Sequence, residues 1–155
     1  MTVWRPRPLI RVKAIGLAWH EGRLLAAEVL DDAGRLKGVR PLGGTIAFGE
    51  SWTAALVREF EEELGLRVMV TSAPVVLENI YTHEGATGHE IVFAADVRLP
   101  PGTIQGMETI TFAEDDGTAC TARWFDPAQL DRSNGPALYP DGLGAHLATH
   151  RTERA

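Results

Sequence analysis

GTIAFGESWTAALVREFEEELGL, residues 44–66, holds the clearest helix of the chain and most of its legible chemistry. The periodicity predicts a helix over 51–64, with Gly65 where a left-handed C-cap belongs. At 100° per residue, with Glu59 set to zero, Leu56, Phe60, Leu64 and Val57 fall between about 60° and 160° and form an apolar face for the core. Glu62 and Glu63 fall at about 300° and 40°, so with Glu59 they form a carboxylate face about 100° wide. Ala55 lies within that face and is small enough to let something approach. Arg58 flanks it one turn before Glu62, and Glu61 points to solvent.

Three like charges at i, i+3 and i+4 repel by a few tenths of a kcal/mol per pair. They also sit at the negative end of the helix dipole, where each acid costs roughly 0.3–1 kcal/mol more. A helix shaped only by stability would carry these glutamates in its first turn. A Glu-rich helix face is commonly just solvated, but a cation on this one would account for the placement. Hard oxygen ligands with no nearby His or Cys point to Mg2+, with Mn2+ close behind. Upstream, Gly43-Gly44 and Gly49 make a glycine-containing loop that lets backbone groups approach phosphate or metal closely, although a plain tight turn uses glycine too.

Outward from this segment, residues 1–8 hold two prolines and read as a flexible lead-in. Residues 10–19 alternate as a strand, with a slip between the Ile10/Val12/Ala14 side and the Ile15/Leu17/Trp19 side. A turn at 20–22 leads to a second strand over 23–30, and 38–41 connects to the glycine pair. Residues 67–80 read as one or two strands broken near Pro74, 82–88 as a polar loop and 90–99 as a strong strand. The stretch 103–119 is irregular or a loose hairpin, 119–125 a last strand, and short helices are expected at 127–130 and 143–150. With no repeats and no linker, one α/β (α+β) domain over 1–155 is expected.

The chain has 155 residues, 45% hydrophobic and 23% charged, which excludes disordered, collagenous and coiled-coil classes and leaves room for one ordinary core. The net charge of −6 is uneven: residues 1–40 carry eight Lys/Arg against four acids, and 41–155 carry seven against seventeen. Such acidity argues against a nucleic-acid polymer as partner and for a small ligand or a metal-mediated one. The single cysteine, Cys120, fits a reducing compartment. The uncharged stretch at 14–19 is too short for a signal peptide, and no window approaches the roughly 20 apolar residues of a membrane span. A cytoplasmic protein without membrane contact is expected.

Residues 44–66 resemble the Nudix box at every defining position: Gly44, Glu50, Arg58, Glu59, Phe60, Glu62, Glu63, Gly65 and Leu66. The match covers a seventh of the chain, and the strand order around it, with Trp124 on the closing strand and a helix after Pro127, is similar to the family's. The resemblance implies an α/β/α sandwich with a mixed sheet. It also implies divalent-metal-dependent hydrolysis of a nucleoside diphosphate linked to some group X. By that resemblance Glu59, Glu62, Glu63 and the Gly43 carbonyl would hold the metal. Arg58 with Glu50 would orient the glutamates, Gly44 and Gly65 would shape the box, and Glu63 or Glu59 would be the base. The chemistry agrees, because a diphosphate is anionic and its attack by water needs charge neutralisation and a proton acceptor.

The chain departs from the family in places. Arg123 stands before Trp124 where a distal carboxylate is frequent, and Glu84, Glu90, Glu108, Glu114, Asp115 and Asp116 all remain open for that role. Ala47 replaces an acid often seen in the loop. The Ser-Gln-Pro-Trp-rich signature of NADH-hydrolysing members is missing, and Tyr81 stands where many ADP-ribose hydrolases have proline. Tyr81, His83 and Glu90 are the substrate-binding candidates, Tyr81 with a plain packing alternative and His83 with a solvated one. A nucleotide-sensing, non-catalytic Nudix-fold module is the alternative function, although such modules usually lose box glutamates. An isopentenyl-diphosphate-isomerase-like enzyme would want a cysteine in the glycine loop, far from Cys120. Homodimers are common in this fold, and nothing in the sequence identifies an interface.

Overall fold

The computed structural model describes residues 3–150. The strands are β1 (Ile10–His20), β2 (Arg23–Leu30), β3 (Leu36–Arg40), β4 (Leu42–Thr45), β5 (Met69–Val70), β6 (Val75–His83), β7 (Ala86–Arg98), β8 (Ile110–Ala113), β9 (Ala119–Phe125) and β10 (Ala137–Leu138). The helices are α1 (Trp52–Leu64) and α2 (Leu143–Thr149), with a 3-10 turn at Pro127–Gln129. Among the described residues the strands form one curled mixed sheet. β1 lies at its centre, parallel to β7 from Ile10↔His89 to Ala18↔Val97 and antiparallel to β4 from Lys13↔Thr45 to Gly16↔Leu42. β1 turns into β2, which pairs antiparallel with β3 and β9, and β8 closes a hairpin with β9.

Two cores form on opposite faces of this sheet. Ala14 and Ala18 of β1, Val97 of β7 and Leu99 just after it pack with Ala55, Leu56 and Phe60 of α1. Ile15, Leu17, Val92 and Ala94 face the other way and pack with Leu143 and Leu147 of α2. This is the expected sandwich, and a central strand buried on both faces explains why its sequence does not alternate cleanly. The pairing of β1 with β7 runs unbroken, so the slip expected after Ala14 is not there.

Other local expectations are corrected as well. Ala55 keeps its place one turn before Glu59 but is fully buried in the α1 core, so it leaves no open space for a ligand to approach. Residues 82–88 are not a loop. The β6–β7 ladder continues to His83↔Ala86, and Glu84 and Gly85, at φ 48° and 84°, make a two-residue turn that suits the twist of a hairpin. The connection at 36–45 is two strands that carry the chain from one part of the sheet to the other at Pro41. Of the lead-in, Met1 and Thr2 lie outside the described residues. Trp4 stands against the His83 ring at 5.3 Å, and Arg5 pairs with Asp32 at 2.6 Å. Among the described residues no helix is long and apolar enough to cross a membrane.

Candidate metal and catalytic site

Helix α1 begins at Ser51, whose hydroxyl accepts from the Ala54 N–H at 3.1 Å, and ends at Gly65, at φ 67°, whose N–H bonds the Glu61 carbonyl. These caps fix the helix register. Its carboxylate side is organised around Arg58, which donates to Glu50 through Nε at 2.7 Å and Nη2 at 2.9 Å. The same guanidinium reaches Glu59 at 2.9 Å, Glu62 at 3.1 Å and the Thr45 carbonyl at 3.1 Å. One planar fork thus ties the helix to the end of β4, which a point-charge ammonium cannot do. The fork and the Ala47 N–H hold the Glu50 carboxyl at a pKa of about 2.

Glu59 is buried at 5% exposure, and a methyl group on Gly44 would stand on its carboxylate, so glycine there leaves the space Glu59 fills. Burial raises the Glu59 pKa, against the pull of Arg58. Oxygen atoms of Glu59, Glu62 and Asp115 lie within 4.8 Å of one another. Glu63 stands next to this triangle and outside it. Its Oε2 is buried without a hydrogen-bond partner, and burial pushes its pKa up to about 8 although Arg40 opposes the shift. Three gathered carboxylates and an orphaned buried oxygen, all hard donors, fit a divalent cation. Gly43 packs against the backbone of Ala14 and Ile15, close enough that no side chain could be placed there.

The six acids considered for the distal position fall in different places. Asp115, at the tip of the β8–β9 hairpin, is the one gathered with Glu59 and Glu62. Glu114 beside it pairs with Arg40, Asp116 accepts from the Thr118 N–H at 2.8 Å, and Glu84 accepts from the Asp32 N–H at 3.0 Å. Glu90 is buried in a pair with Lys13 at 2.7 Å, and Glu108 is exposed. Arg40 is the site residue that local patterns missed; its position ahead of Pro41 and the glycine pair was the only available signal.

Tyr81, His83 and Glu90 share the face of β6 and β7 that also carries Leu77 and Val92 of the α2 core. Tyr81 lies over Gly88, and burial with the nearby Glu90 pushes its hydroxyl up to about 12. His83 is buried, 3.2 Å from the Lys37 ammonium, and burial followed by that charge lowers its pKa. Trp52 stacks on Phe93 at 6.2 Å, and Trp19 donates to Asp96 at 3.1 Å. Burial raises the Cys120 thiol to about 11, which leaves it a poor nucleophile.

Arg58→Lys keeps the charge and loses the fork. A 10- to 100-fold loss of Mn2+ affinity is expected for it, read by electron paramagnetic resonance of free Mn2+. Unchanged affinity would show that the fork does not organise the carboxylates.

No curated protein matches the chain. Solved structures do: the ORF135 protein of E. coli is 22% identical, with TM-score 0.58 over 94% of this chain and 93% of that one. An ADP-ribose pyrophosphatase from Streptococcus suis is 17% identical, with TM-score 0.59 over 94% and 92%. A MutT NUDIX hydrolase from Burkholderia pseudomallei is 21% identical, with TM-score 0.55 over 89% and 97%. At these identities the likeness concerns the fold. The family model for the NUDIX domain matches residues 14–141, most of the chain and all of its box. The chain therefore belongs to the Nudix hydrolase family.

Proposed function

We propose that the protein hydrolyses the diphosphate linkage of a nucleoside diphosphate joined to another group, using Mg2+ or, second, Mn2+. The observation that carries this is the gathering of Glu59, Glu62 and Asp115 beside the unpartnered Glu63 oxygen. Glu59, Glu62, Glu63 and the Gly43 carbonyl would hold the metal, with Asp115 as the distal carboxylate. Divalent cations held there would neutralise diphosphate charge and make water a stronger acid. Glu63 or Glu59 would take the proton of the attacking water as its oxygen bonds to phosphorus and the bridging P–O bond breaks, its electrons leaving with the bridging oxygen. Arg58 holds Glu59 and Glu62 in place.

Tyr81, His83 and Glu90 are proposed to border the substrate, with Glu90 beside Tyr81. Arg40 bridges the two regions electrostatically, since its charge bears on both Glu63 and Tyr81. The relatives named an ADP-ribose pyrophosphatase and a MutT hydrolase support a small nucleotide-type substrate without selecting one. The test is a panel of nucleoside triphosphates, oxidised ones included, with ADP-ribose, nucleotide sugars and dinucleoside polyphosphates, assayed with Mg2+ and with chelator. Products are identified by phosphorus NMR, and Glu59→Gln runs alongside. Turnover of one class that vanishes with chelator and in Glu59→Gln is the expected result. Tight nucleotide binding without turnover would replace the hydrolase with a sensing module.

A further inference from the structure

Asp115 is the one member of the carboxylate triangle that does not come from α1. It sits on an exposed hairpin tip, and its charge is repelled by Glu59 and Glu63. Something must hold it against that repulsion before any cation arrives. The hairpin turn is internally tight: the Glu114 N–H bonds the Thr118 carbonyl at 2.9 Å, the Gly117 N–H bonds the Glu114 carbonyl at 2.8 Å, and Asp116 closes on the Thr118 N–H. Fixing Glu114 therefore fixes Asp115 beside it. Glu114 is bound from across the sheet by the guanidinium of Arg40, at the end of β3, and its carboxylate also receives the Cys120 thiol at 3.6 Å. Arg40 in turn is anchored where β3 passes through Pro41 into β4 and the Gly43-Gly44 pair that seats Glu59.

We propose that Arg40 is a positioning residue whose ion pair with Glu114 fastens the β8–β9 hairpin to the box, so that Asp115 completes the metal triangle with Glu59 and Glu62. The inference rests on the metal site proposed above and goes beyond it by assigning the support of its outermost ligand to a residue outside the box. Arg40 and Glu114 are both about one-third exposed, which leaves the pair accessible to exchange and the hairpin able to move when the pair is broken.

The test reads metal binding without turnover. Mn2+ affinity is measured by electron paramagnetic resonance on Arg40→Gln, Glu114→Gln, Asp115→Asn and the double variant Arg40→Gln/Asp115→Asn. Amide hydrogen exchange over residues 113–119 is followed in parallel. Each single variant is expected to lose 10- to 100-fold in Mn2+ affinity, and the double variant no more than Asp115→Asn alone, because Arg40 acts through Asp115. Exchange at the hairpin should quicken in Arg40→Gln and Glu114→Gln, and Arg40→Lys should restore most of the affinity, which a misfolded variant would not allow. Losses that add in the double variant, or an Arg40→Gln protein with unchanged affinity and exchange, would overturn the proposal. Glu59→Gln separates the two levels. If it also leaves Mn2+ affinity unchanged, the metal site itself fails; if it abolishes binding while Arg40→Gln does not, only the tether fails.

Discussion

Glu63→Gln is expected to lower turnover at saturating Mg2+ by about 100- to 10,000-fold while making the metal-free protein more stable above neutral pH. The two effects have opposite signs because they come from one buried oxygen. In the folded, metal-free chain burial holds the Glu63 pKa at about 8, against 4.5 in the unfolded chain. Between those values the native state keeps a proton that the unfolded state has released. Stability therefore falls as pH rises through that window, by at most about 1.4 kcal/mol per pH unit. Glutamine is nearly isosteric with the protonated carboxyl and cannot ionise, so the variant should lack that slope and match the parent below pH 4.5. Glu50 works with the other sign: its pKa is held at about 2, so its contribution is complete above about 4.5 and is lost as pH falls toward 2. Chemical denaturation in chelator from pH 4 to 9 gives the stability profiles, and phosphate release gives the rates. Parallel profiles for parent and variant would place the Glu63 carboxyl in water. Turnover within tenfold of the parent would remove it from the chemistry.

The parts of this site that were legible in the sequence are those encoded by short-range spacing. The spacing of Leu56 and Phe60 placed α1, and Gly65 marked its end at the residue whose backbone turns left-handed. The glutamate spacing put Glu59 and Glu62 on one side, where both meet Arg58. Choosing among the six acids was not possible, because Asp115 is brought in by the β8–β9 register and by a contact between residues 74 apart, Arg40 and Glu114. No local periodicity carries that information. The misread hairpin at 82–88 has a related cause: polar letters signal a loop, but cross-strand pairing to β7 continues through them, and the turn itself needs only Glu84 and Gly85. Ala55 lies beside Glu59 as its spacing indicates, but it is packed instead of open, because alanine fits either a groove or a core and only the packing of the sheet on α1 decides between them.

The largest stability effect is expected away from the carboxylates, at Lys13 and Glu90. The ammonium and carboxylate meet at 2.7 Å with side-chain exposures of 22% and 10%, and the other Glu90 oxygen accepts from Asn79 Nδ2 at 3.3 Å. Asn79 in turn accepts from the Asp141 N–H at 3.3 Å, just ahead of α2. The pair thus joins β1, β6 and β7 and leads to the start of α2, and Lys13 itself stands opposite Thr45 of β4. Burial lowers the Lys13 pKa although Glu90 works against it, so each charge tolerates its surroundings only because of the other. Lys13→Met leaves the Glu90 carboxylate with the neutral side chains of Asn79 and Tyr81, and a loss of about 3–5 kcal/mol is expected. The double variant Lys13→Met/Glu90→Met removes both charges and should recover most of that loss, since a buried pair contributes little beyond the desolvation it offsets. Urea denaturation of the four proteins gives the coupling directly. Small, additive losses in the single variants would show that water reaches the pair. The same double variant bears on the substrate: with Glu90 beside Tyr81, KM should rise while kcat holds, because the diphosphate chemistry lies on α1. An unchanged KM would remove Glu90 from the substrate's surroundings and leave its structural role intact.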